Sequence, residues 1–213
     1  MRLLVSGATA TLRRLAPPDG DVLGCLPTPH TGNDPKSLEA LGLPMAADNG
    51  CFNGLNSEKF VVMLNAFREA GVRLDWVTVP DVVANGDETF ALWGRWERVV
   101  RAFGFTPAMV LQDGMDRLSV HQFDPPVLFI GGTTGFKLGP LTADLTADWR
   151  AKGRPVHMGR VNSERRIRYA VEIGCTSCDG SGFSKWPDTR IPLGVKWIRR
   201  ALKRKGNKQR TIA

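Results

Sequence analysis

Residues 127–179 read VLFIGGTTGFKLGPLTADLTADWRAKGRPVHMGRVNSERRIRYAVEIGCTSCD, and short apolar runs alternate in this stretch with amphipathic segments. Three apolar runs have the length of buried strands: residues 127–131, 155–159 and 175–179. The segments between them, residues 141–152 and 163–173, carry apolar side chains at helical spacing. Alternating strands and helices predict a parallel sheet with right-handed crossovers.

The same alternation continues toward the N-terminus and gives eight predicted strands. The other strands are residues 3–6, 22–25, 44–48, 74–80 and 107–112, and further helices are residues 57–70 and 87–103. We therefore predict an α/β fold, a compact (β/α)8 TIM-like barrel, with an open doubly wound sheet as the alternative. Proline and glycine are frequent around residues 16–19 and 27–36, so we expect reduced helices, replaced by irregular loops, after the first strands.

The composition is typical of a globular protein with one domain, with 213 residues, 42% hydrophobic and 23% charged. No apolar run approaches the roughly 20 residues of a membrane helix, and MRLLVSGATATLRRL does not have the pattern of a signal peptide. The four cysteines are predicted to be free thiols of a reducing compartment. We expect a cytoplasmic protein with no membrane partner, in the host cytoplasm if a phage encodes it.

Positive charge is concentrated at the C-terminus. Residues 196–213 hold eight of the 29 lysines and arginines and no acid, so the rest of the chain is neutral. We divide the chain into a barrel domain, residues 1–195, and a basic C-terminal helix and tail, residues 196–213. A helix over residues 193–205 would pack Val195, Ile198 and Leu202 on the barrel. Its basic face is either a contact for nucleic-acid phosphates or a solvated tail.

Polar residues follow successive predicted strands, at the edge where a barrel carries its active site. They are Asp48, Asp81, Gln112, Asp113, Gly131, Gly132, His157, Arg160 and Asp179. Taken singly, the sequences DNG at 48–50 and DG at 179–180 are also turn signals. The recurrence of polar residues at one end of the predicted barrel favours an active site. Two opposed carboxylates suit glycosyl chemistry, and Asp and Gln beside glycine N–H groups suit a purine.

Other chemistries fit the sequence less well. Cys175 and Cys178 have CxxC spacing, but no second pair of ligands completes a zinc site, so we predict no metal. FIGGTTGFK lacks the GKS/T ending of a loop that binds nucleoside triphosphates. His121 and His157 are isolated, and we expect packing or hydrogen-bonding roles for them. No cofactor is expected.

The ordered motifs DNGCF, VPDVV, LQDG, FIGGTTGFK, HMGRVNSERRIRYA and SCDGSGF span about residues 44–188. Together they resemble the tRNA-guanine transglycosylase superfamily, and within it the compact phage and bacterial DpdA-like branch, which is associated with 7-deazaguanine in DNA. The resemblance implies that Asp179 is the nucleophile and that Asp48 handles protons. It also implies that Asp81 and Gln112 hold the base, while Gly131 and Gly132 donate N–H groups to the purine oxygen.

Further residues complete the predicted site. We assign Asp113, Phe52 and Met158 to base binding; Cys51 and Phe52 stand where the family has part of a glycine-rich turn. Contacts with the nucleic-acid backbone are assigned to six cations: Arg160, Lys185, Arg199, Arg200, Lys203 and Arg204.

The resemblance implies a base exchange in which Asp179 attacks C1′, guanine leaves, and a free 7-deazaguanine base, the co-substrate, takes its place. The tRNA enzymes carry a cysteine and histidine zinc subdomain after the nucleophile strand, whereas here KWPDTR and a basic helix follow. We therefore expect DNA in preference to tRNA as the nucleic-acid partner. Two alternatives stay open: a hydrolytic DNA glycosylase that excises a base, and a catalytically silent nucleic-acid-binding barrel. The sequence leaves the oligomeric state undetermined.

Overall fold

The computed structural model describes residues 1–212, apart from the side chains of Asn53 and of residues 208–212. Within that part of the chain one sheet contains seven strands, all parallel to their neighbours. They are β1 (Arg2–Val5), β2 (Leu23–Cys25), β3 (Val77–Thr78), β4 (Pro107–Leu111), β5 (Val127–Ile130), β6 (Val156–Met158) and β7 (Ser177–Cys178). Their order in the sheet is β2-β1-β7-β6-β5-β4-β3.

Residues 44–48 lie between β2 and β3 and close the sheet into a barrel. Isolated parallel bridges join Cys25 to Met45 and Ala47 to Val77. The N–H of Ala47 donates to the carbonyl of Trp76 at 3.0 Å, and the N–H of Ala46 donates to the carbonyl of Cys25 at 3.1 Å. The predicted strand at residues 44–48 is therefore in the expected place, but it pairs with its neighbours through single bridges instead of a full ladder of hydrogen bonds.

Helices follow the strands and cover the outside of the barrel. They are α1 (Thr9–Asp19), α2 (Pro35–Glu39), α3 (Ser57–Glu69), α4 (Gly86–Ala102), α5 (Arg117–Phe123), α6 (Thr134–Lys137), α7 (Pro140–Ala151), α8 (Glu164–Ile173), α9 (Ser181–Lys185) and α10 (Pro187–Ile212), with a short 3-10 turn at Cys51–Asn53. The four internal helices predicted from periodicity correspond to α3, α4, α7 and α8. Side chains of Asn56, Asn85 and Ser163 accept a backbone N–H at the starts of α3, α4 and α8, which fixes where these helices begin.

The prediction of an irregular loop after the first strand was wrong, because α1 fills that connection. Pro17 and Pro18 lie in its last turn, where the missing N–H groups remove only the final hydrogen bonds and leave the earlier turns intact. Leu12 on α1 is fully buried and attaches the helix to the barrel. After β2 the prediction is closer, since residues 26–34 are irregular and α2 has only five residues.

The C-terminal helix is longer than predicted. A single helix, α10, runs through the proposed domain boundary at residues 195 and 196. Val195 and Ile198 are buried as expected, but Leu202 is 39% exposed and Ala201 is buried in its place. The side chains of the predicted tail beyond residue 207 lie outside the described part of the chain.

Strand alternation divides the apolar side chains between two layers. Leu3 and Val5 belong to the large cluster between the strands and the helices, whereas Leu4 belongs to a second, smaller cluster with Trp76 and Ala108. Phe129 packs against this second cluster. The side chains of the second cluster therefore face the inside of the barrel. The same alternation directs the residues just beyond the strand ends into the mouth of the barrel.

No helix in the described part of the chain combines the length and apolarity required to span a membrane.

Candidate active site at the mouth of the barrel

A cavity of about 560 Å³ opens at the carboxyl ends of the strands. Six of its lining residues each follow a strand or the bridged segment: Asp48, Asp81, Gln112, Gly131, Gly159 and Asp179. The predicted convergence of Asp48 and Asp179 at one mouth is therefore present in the structure. A cavity of this volume is within the range that accommodates a small molecule or a nucleotide.

Asp179 is held by two donors that reach the same oxygen. Its Oδ1 atom lies 3.1 Å from Nε2 of His157 and accepts the backbone N–H of Arg160 at 3.1 Å. Nδ1 of the fully buried His157 lies 2.9 Å from Oγ of Ser177. Because a carboxylate only accepts hydrogen bonds, Nε2 carries the proton, and in the neutral ring Nδ1 accepts from the serine hydroxyl. Ser177 is buried beneath His157, so this line of residues orients Asp179 toward the cavity.

The side chain of Asp48 lies in a different electrostatic environment. Burial raises its pKa to about 7, and the negative charges of Asp179 and Asp81 act in the same direction. Two weak hydrogen bonds oppose this shift: Thr78 Oγ1 donates to Oδ1 at 3.3 Å, and the N–H of Gly50 donates to Oδ2 at 3.4 Å. Asp48 therefore exchanges a proton near neutral pH, as a general acid or base requires.

Asp81 is fixed by two amide side chains. Asn49 donates from Nδ2 to Oδ1 at 2.7 Å, and Gln112 donates from Nε2 to Oδ2 at 2.6 Å. Oε1 of Gln112 accepts the N–H of Ala84 at 2.9 Å, so both ends of this amide are bonded within the protein. Burial raises the pKa of Asp81, and the two amide donors oppose the shift. Gln112 thus positions Asp81, whose oxygens keep further lone pairs for a ligand.

The glycine pair after β5 lines the same cavity. A Cβ built at Gly131 would lie 2.7 Å from Cγ1 of Val110 and 2.9 Å from Nε2 of Gln112. Gly132 has a φ of +76°, in the left-handed region that favours glycine. A side chain at either position would therefore clash with neighbouring protein atoms. The N–H of Gly131 donates to the carbonyl of Leu111 at 3.0 Å, so it is not available as the predicted donor to a purine oxygen.

Lys137, at the end of α6, also lines the cavity, although its side chain is only 7% exposed. Its Nζ donates to the carbonyl of Gly159 at 3.3 Å. Burial lowers the pKa of Lys137 to about 8, and the nearby positive charge of Arg160 contributes to the shift. A buried amine with this pKa is partly neutral near physiological pH.

Aromatic and basic side chains form the rim. The guanidinium of Arg160 lies 3.9 Å from the ring centroid of Phe52, which is 59% exposed. Arg160 adopts a φ of +60°, an unfavourable conformation that directs its N–H to Asp179. Lys185 lines the cavity from α9. These three predicted residues therefore lie around one opening.

Several predicted residues are not on the cavity. Met158 is buried on the outer side of β6, because its neighbour His157 faces inward and side chains alternate along a strand. Asp113 accepts the N–H of Thr133 at 2.7 Å and its hydroxyl at 2.6 Å, so it fixes the loop after β5. Neither residue is among those that line the cavity.

The basic residues of α10 are also separate from the cavity. Arg199 pairs with Asp19 at 3.0 Å and Asp21 at 2.9 Å, near the beginning of β2 and therefore at the opposite end of the barrel. Arg200 lies 3.6 Å from Glu164 on α8. Lys203 and Arg204 are exposed on the same helix. The predicted backbone contacts thus form two groups, one at the mouth and one on α10.

Sequence reasoning missed three residues of this site in their present roles. Asn49 and Lys137 were within the motifs DNGCF and FIGGTTGFK, but no local signal indicated that their side chains turn inward. His157 was expected to bond or pack, and it does both, since its ring lies 4.5 Å from that of Phe129. Its link to Asp179 depends on pairing between β6 and β7, which spacing alone did not reveal.

The four cysteines are free thiols, as predicted, and the structure shows that all four are buried. Burial raises the pKa of the Cys175 thiol to about 12, which disfavours the thiolate that metals bind. Among the residues that the structure describes, no group of three or more His, Cys, Asp or Glu side chains is arranged to hold a metal ion.

No family model matches this sequence, and no curated protein matches it either. Solved structures do match its fold. The native KDPGal structure has a TM-score of 0.59 and 14% identity, covering 95% of this chain and 97% of that chain. The YdjI aldolase from Escherichia coli K12 has a TM-score of 0.59 and 10% identity, covering 98% and 89%. Thiamine phosphate pyrophosphorylase from Pyrococcus furiosus has a TM-score of 0.56 and 11% identity, covering 95% and 96%.

At these identities the similarity shows the fold alone. The chain has the α/β architecture of (β/α)-barrel proteins, which agrees with the predicted fold class. Its polar cavity lies at the carboxyl ends of the strands, the face on which enzymes of this fold have their active sites.

Proposed function

We propose that this chain is a base-exchange transglycosylase that replaces guanine in DNA with a 7-deazaguanine base through a covalent intermediate on Asp179. The observation that carries the proposal is the pair formed by Asp48 and Asp179. Both carboxyl groups line one cavity, and burial, together with the negative charges of Asp179 and Asp81, raises the pKa of Asp48. Two carboxyl groups in such an arrangement can divide nucleophilic attack and proton transfer between them.

The surroundings of each carboxyl group support this division. Asp179 is oriented by His157 and by the N–H of Arg160, and both bonds go to Oδ1, so Oδ2 is the oxygen for attack on C1′. Asp48, with a pKa of about 7, gives its proton to the departing guanine. It later takes a proton from the incoming base, which attacks C1′ and displaces Asp179. The two half-reactions return both residues to their starting states.

The opposite side of the cavity supports recognition of a purine-like base. Asp81 is held rigidly by Asn49 and Gln112 and offers acceptors to the N–H groups of guanine. Gly132 lines the same cavity, and its backbone N–H is the remaining predicted donor to the purine oxygen. A fixed pattern of donors and acceptors in a concave site discriminates between bases because a wrong base leaves buried polar groups unpaired.

The residues at the entrance of the cavity favour binding of a nucleotide that has flipped out of its strand. Phe52 and Arg160 at the rim present an aromatic face and a positive charge, which can stack with a base and contact a phosphate. A base inside a duplex cannot reach Asp179 at the bottom of the mouth, so the nucleotide must flip or be supplied in a single strand.

The direct test is to incubate the protein with guanine-containing DNA and an isotopically labelled 7-deazaguanine base. We expect one labelled nucleoside in the DNA for each guanine released, measured by mass spectrometry of digested nucleosides. Asp179→Asn should stop both processes. Asp144→Asn, on the exposed surface of α7, is the matched control and should retain both.

Other results would contradict the proposal in distinguishable ways. Guanine release that leaves abasic sites, with no incorporation of label, would identify a hydrolytic glycosylase. A parallel incubation with tRNA tests the nucleic acid: incorporation of label into tRNA but not into DNA would show that the substrate is tRNA. Binding of nucleic acid without release of any base would favour a silent binding barrel.

A further inference from the structure

Lys137 is a buried lysine, which is unusual for this residue type. Long charged side chains normally extend into water, yet this one is buried along the wall of the cavity. The hydrogen bond to the carbonyl of Gly159, at 3.3 Å, uses one of its three donor positions. Because Lys137 lines the cavity, a ligand bound there would lie against this residue.

The amine of Lys137 and the carboxylate of Asp179 both lie near Gly159. A Cβ built at Gly159 would lie 3.5 Å from Oδ1 of Asp179, while the carbonyl of the same glycine accepts from Nζ of Lys137. One residue without a side chain therefore separates the amine from the carboxylate. Reaction of Lys137 with a sugar carbon bound against Asp179 requires that this carbon also contacts the amine.

We infer that Lys137 forms an imine with C1 of a ring-opened pentose phosphate bound at the mouth of the barrel, an activity additional to base exchange. The inference rests on the proposed function in one respect, namely that C1′ of the substrate sugar lies against Asp179. The shared ligand chemistry is an aldehyde carbon on a phosphorylated pentose. Its source is either an abasic position in a DNA strand or a free pentose phosphate.

The protonation state of Lys137 is compatible with attack on a carbonyl. Burial and the positive charges of Arg160 and Arg166 lower its pKa to about 8, whereas Asp179 and Asp113 act in the opposite direction. At pH 8 about half of the amine is therefore neutral, compared with less than about 1% for an ordinary lysine. Only the neutral amine is a nucleophile.

The same side of the cavity offers groups for the phosphate. Arg160, Lys185 and the side chains of Ser181 and Ser184 all line it. A phosphate held there by charge and hydroxyl groups would leave C1 of the pentose directed toward Asp179 and Lys137.

The chemical step balances without any further reagent. The lone pair of Nζ adds to the aldehyde carbon, a C–N bond forms, and the amine proton moves to the former carbonyl oxygen. Loss of water, with a proton supplied by Asp48, breaks the C–O bond and gives the C=N bond of the imine. Addition of water reverses the reaction and restores free lysine.

The experiment is reductive trapping in two arms. The full chain is incubated with sodium borohydride and either a DNA oligonucleotide that contains one abasic site or 2-deoxyribose 5-phosphate. Reduction converts the imine into a stable secondary amine. We expect one adduct per chain in at least one arm, located on Lys137 by mass spectrometry of peptides.

Two variants test whether the trapped adduct depends on Lys137. Lys137→Arg keeps a positive charge beside Gly159 but cannot form an imine, so the adduct should disappear. Lys152→Arg, on the outside of the barrel where Lys152 pairs with Asp124, should leave the adduct unchanged. The peptide assignment in the wild-type chain gives an answer even if Lys137→Arg folds poorly.

The outcomes separate this inference from the proposed function. Absence of an adduct in both arms, or an adduct on another lysine, would overturn the imine while leaving base exchange to its own assay. An adduct on Lys137 with the free pentose phosphate alone would support the imine and count against DNA as the substrate. Asp179→Asn should stop base exchange but retain the adduct with abasic DNA, because that substrate has no glycosidic bond to break.

Discussion

Nε2 of His157, on β6, lies 3.1 Å from Oδ1 of Asp179, which directly follows the neighbouring strand β7. The imidazole is fully buried, and its ring lies 5.1 Å from that of Trp76 and 4.5 Å from that of Phe129. Its other nitrogen is engaged by Ser177 at 2.9 Å. The orientation of Asp179 therefore depends on the packed interior of the barrel as well as on its own loop.

His157→Gln should slow formation of the Asp179 intermediate by about 100-fold, because a small displacement of a reacting group has an effect of this size. Affinity for the nucleic acid should change little, since His157 lies beneath the cavity and does not line it. Single-turnover kinetics and a binding titration measure the two effects. An unchanged rate would show that Arg160 alone orients the carboxylate.

The two half-reactions should depend on pH in opposite directions. Release of guanine requires protonated Asp48 and should decline above pH 7. Incorporation of the new base requires ionised Asp48 and should decline at low pH, with a midpoint below 7, because Asp179 carries no charge in the covalent intermediate and no longer raises the pKa of Asp48. Each half-reaction can be followed separately by guanine release and by label incorporation from a preformed intermediate. Parallel pH profiles would exclude Asp48 as the group that transfers both protons.

Asp48→Asn should stabilise the fold at pH 8 and lose this advantage at pH 4. The folded-state pKa of Asp48, about 7, is raised above the ordinary value of 3.8. The folded chain therefore binds the proton more tightly, and Asp48 destabilises the fold progressively as pH rises through that interval. The gain at pH 8 is at most about 4 kcal/mol, and thermal melting at both pH values measures it. A gain that is equal at the two pH values would contradict the assigned pKa.

Gly131→Ala should impair base binding more than it impairs folding. The added methyl group would meet Cγ1 of Val110 at 2.7 Å and Nε2 of Gln112 at 2.9 Å, so the amide that holds Asp81 must move. Overpacking of this kind costs about 1–3 kcal/mol of stability. We expect a higher KM for the incoming base, measured by initial rates. Gly94→Ala is the control, since no atom lies within 4 Å of a Cβ at that exposed position on α4.

Removal of charge from α10 should affect affinity for DNA without affecting the chemical step. Lys203 and Arg204 are exposed on a helix that does not line the cavity. The double change Lys203→Ala and Arg204→Ala should reduce the slope of log affinity against log salt by up to about 2 if both residues contact phosphates. The single-turnover rate at saturating DNA should stay constant. An unchanged slope would identify α10 as a solvated surface.

The sequence predicted the strands and five of the ten helices in the described part of the chain, because these elements have local signals. Apolar runs located all seven strands, and helical periodicity located α3, α4, α7 and α8. These local sequence signals failed where packing against the rest of the protein outweighed the preference of a single residue type. Pro17 and Pro18 suggested a loop but lie at the end of α1, and Leu202 continued an apolar stripe that the barrel surface does not cover.

The candidate site was predicted less completely, since strand ends indicate a face of the barrel but not which side chains meet there. Asp48, Asp81, Gln112 and Asp179 line the cavity as expected. Asp113 and Met158 do not, because the first accepts two hydrogen bonds from Thr133 and the second follows the outward alternation of β6.

The sequence by itself determined that strands alternate with helices and that carboxylates follow strand ends, because periodicity and turn chemistry are properties of neighbouring residues. Only the tertiary structure decided that Ser177, His157 and Asp179 form one hydrogen-bonded line and that Lys137 turns into the cavity. These contacts join residues about 20 or more positions apart in the chain, and closure of the barrel brings them together. The pKa of Asp48 likewise depends on burial and on charges from two other strand ends, which no local pattern encodes.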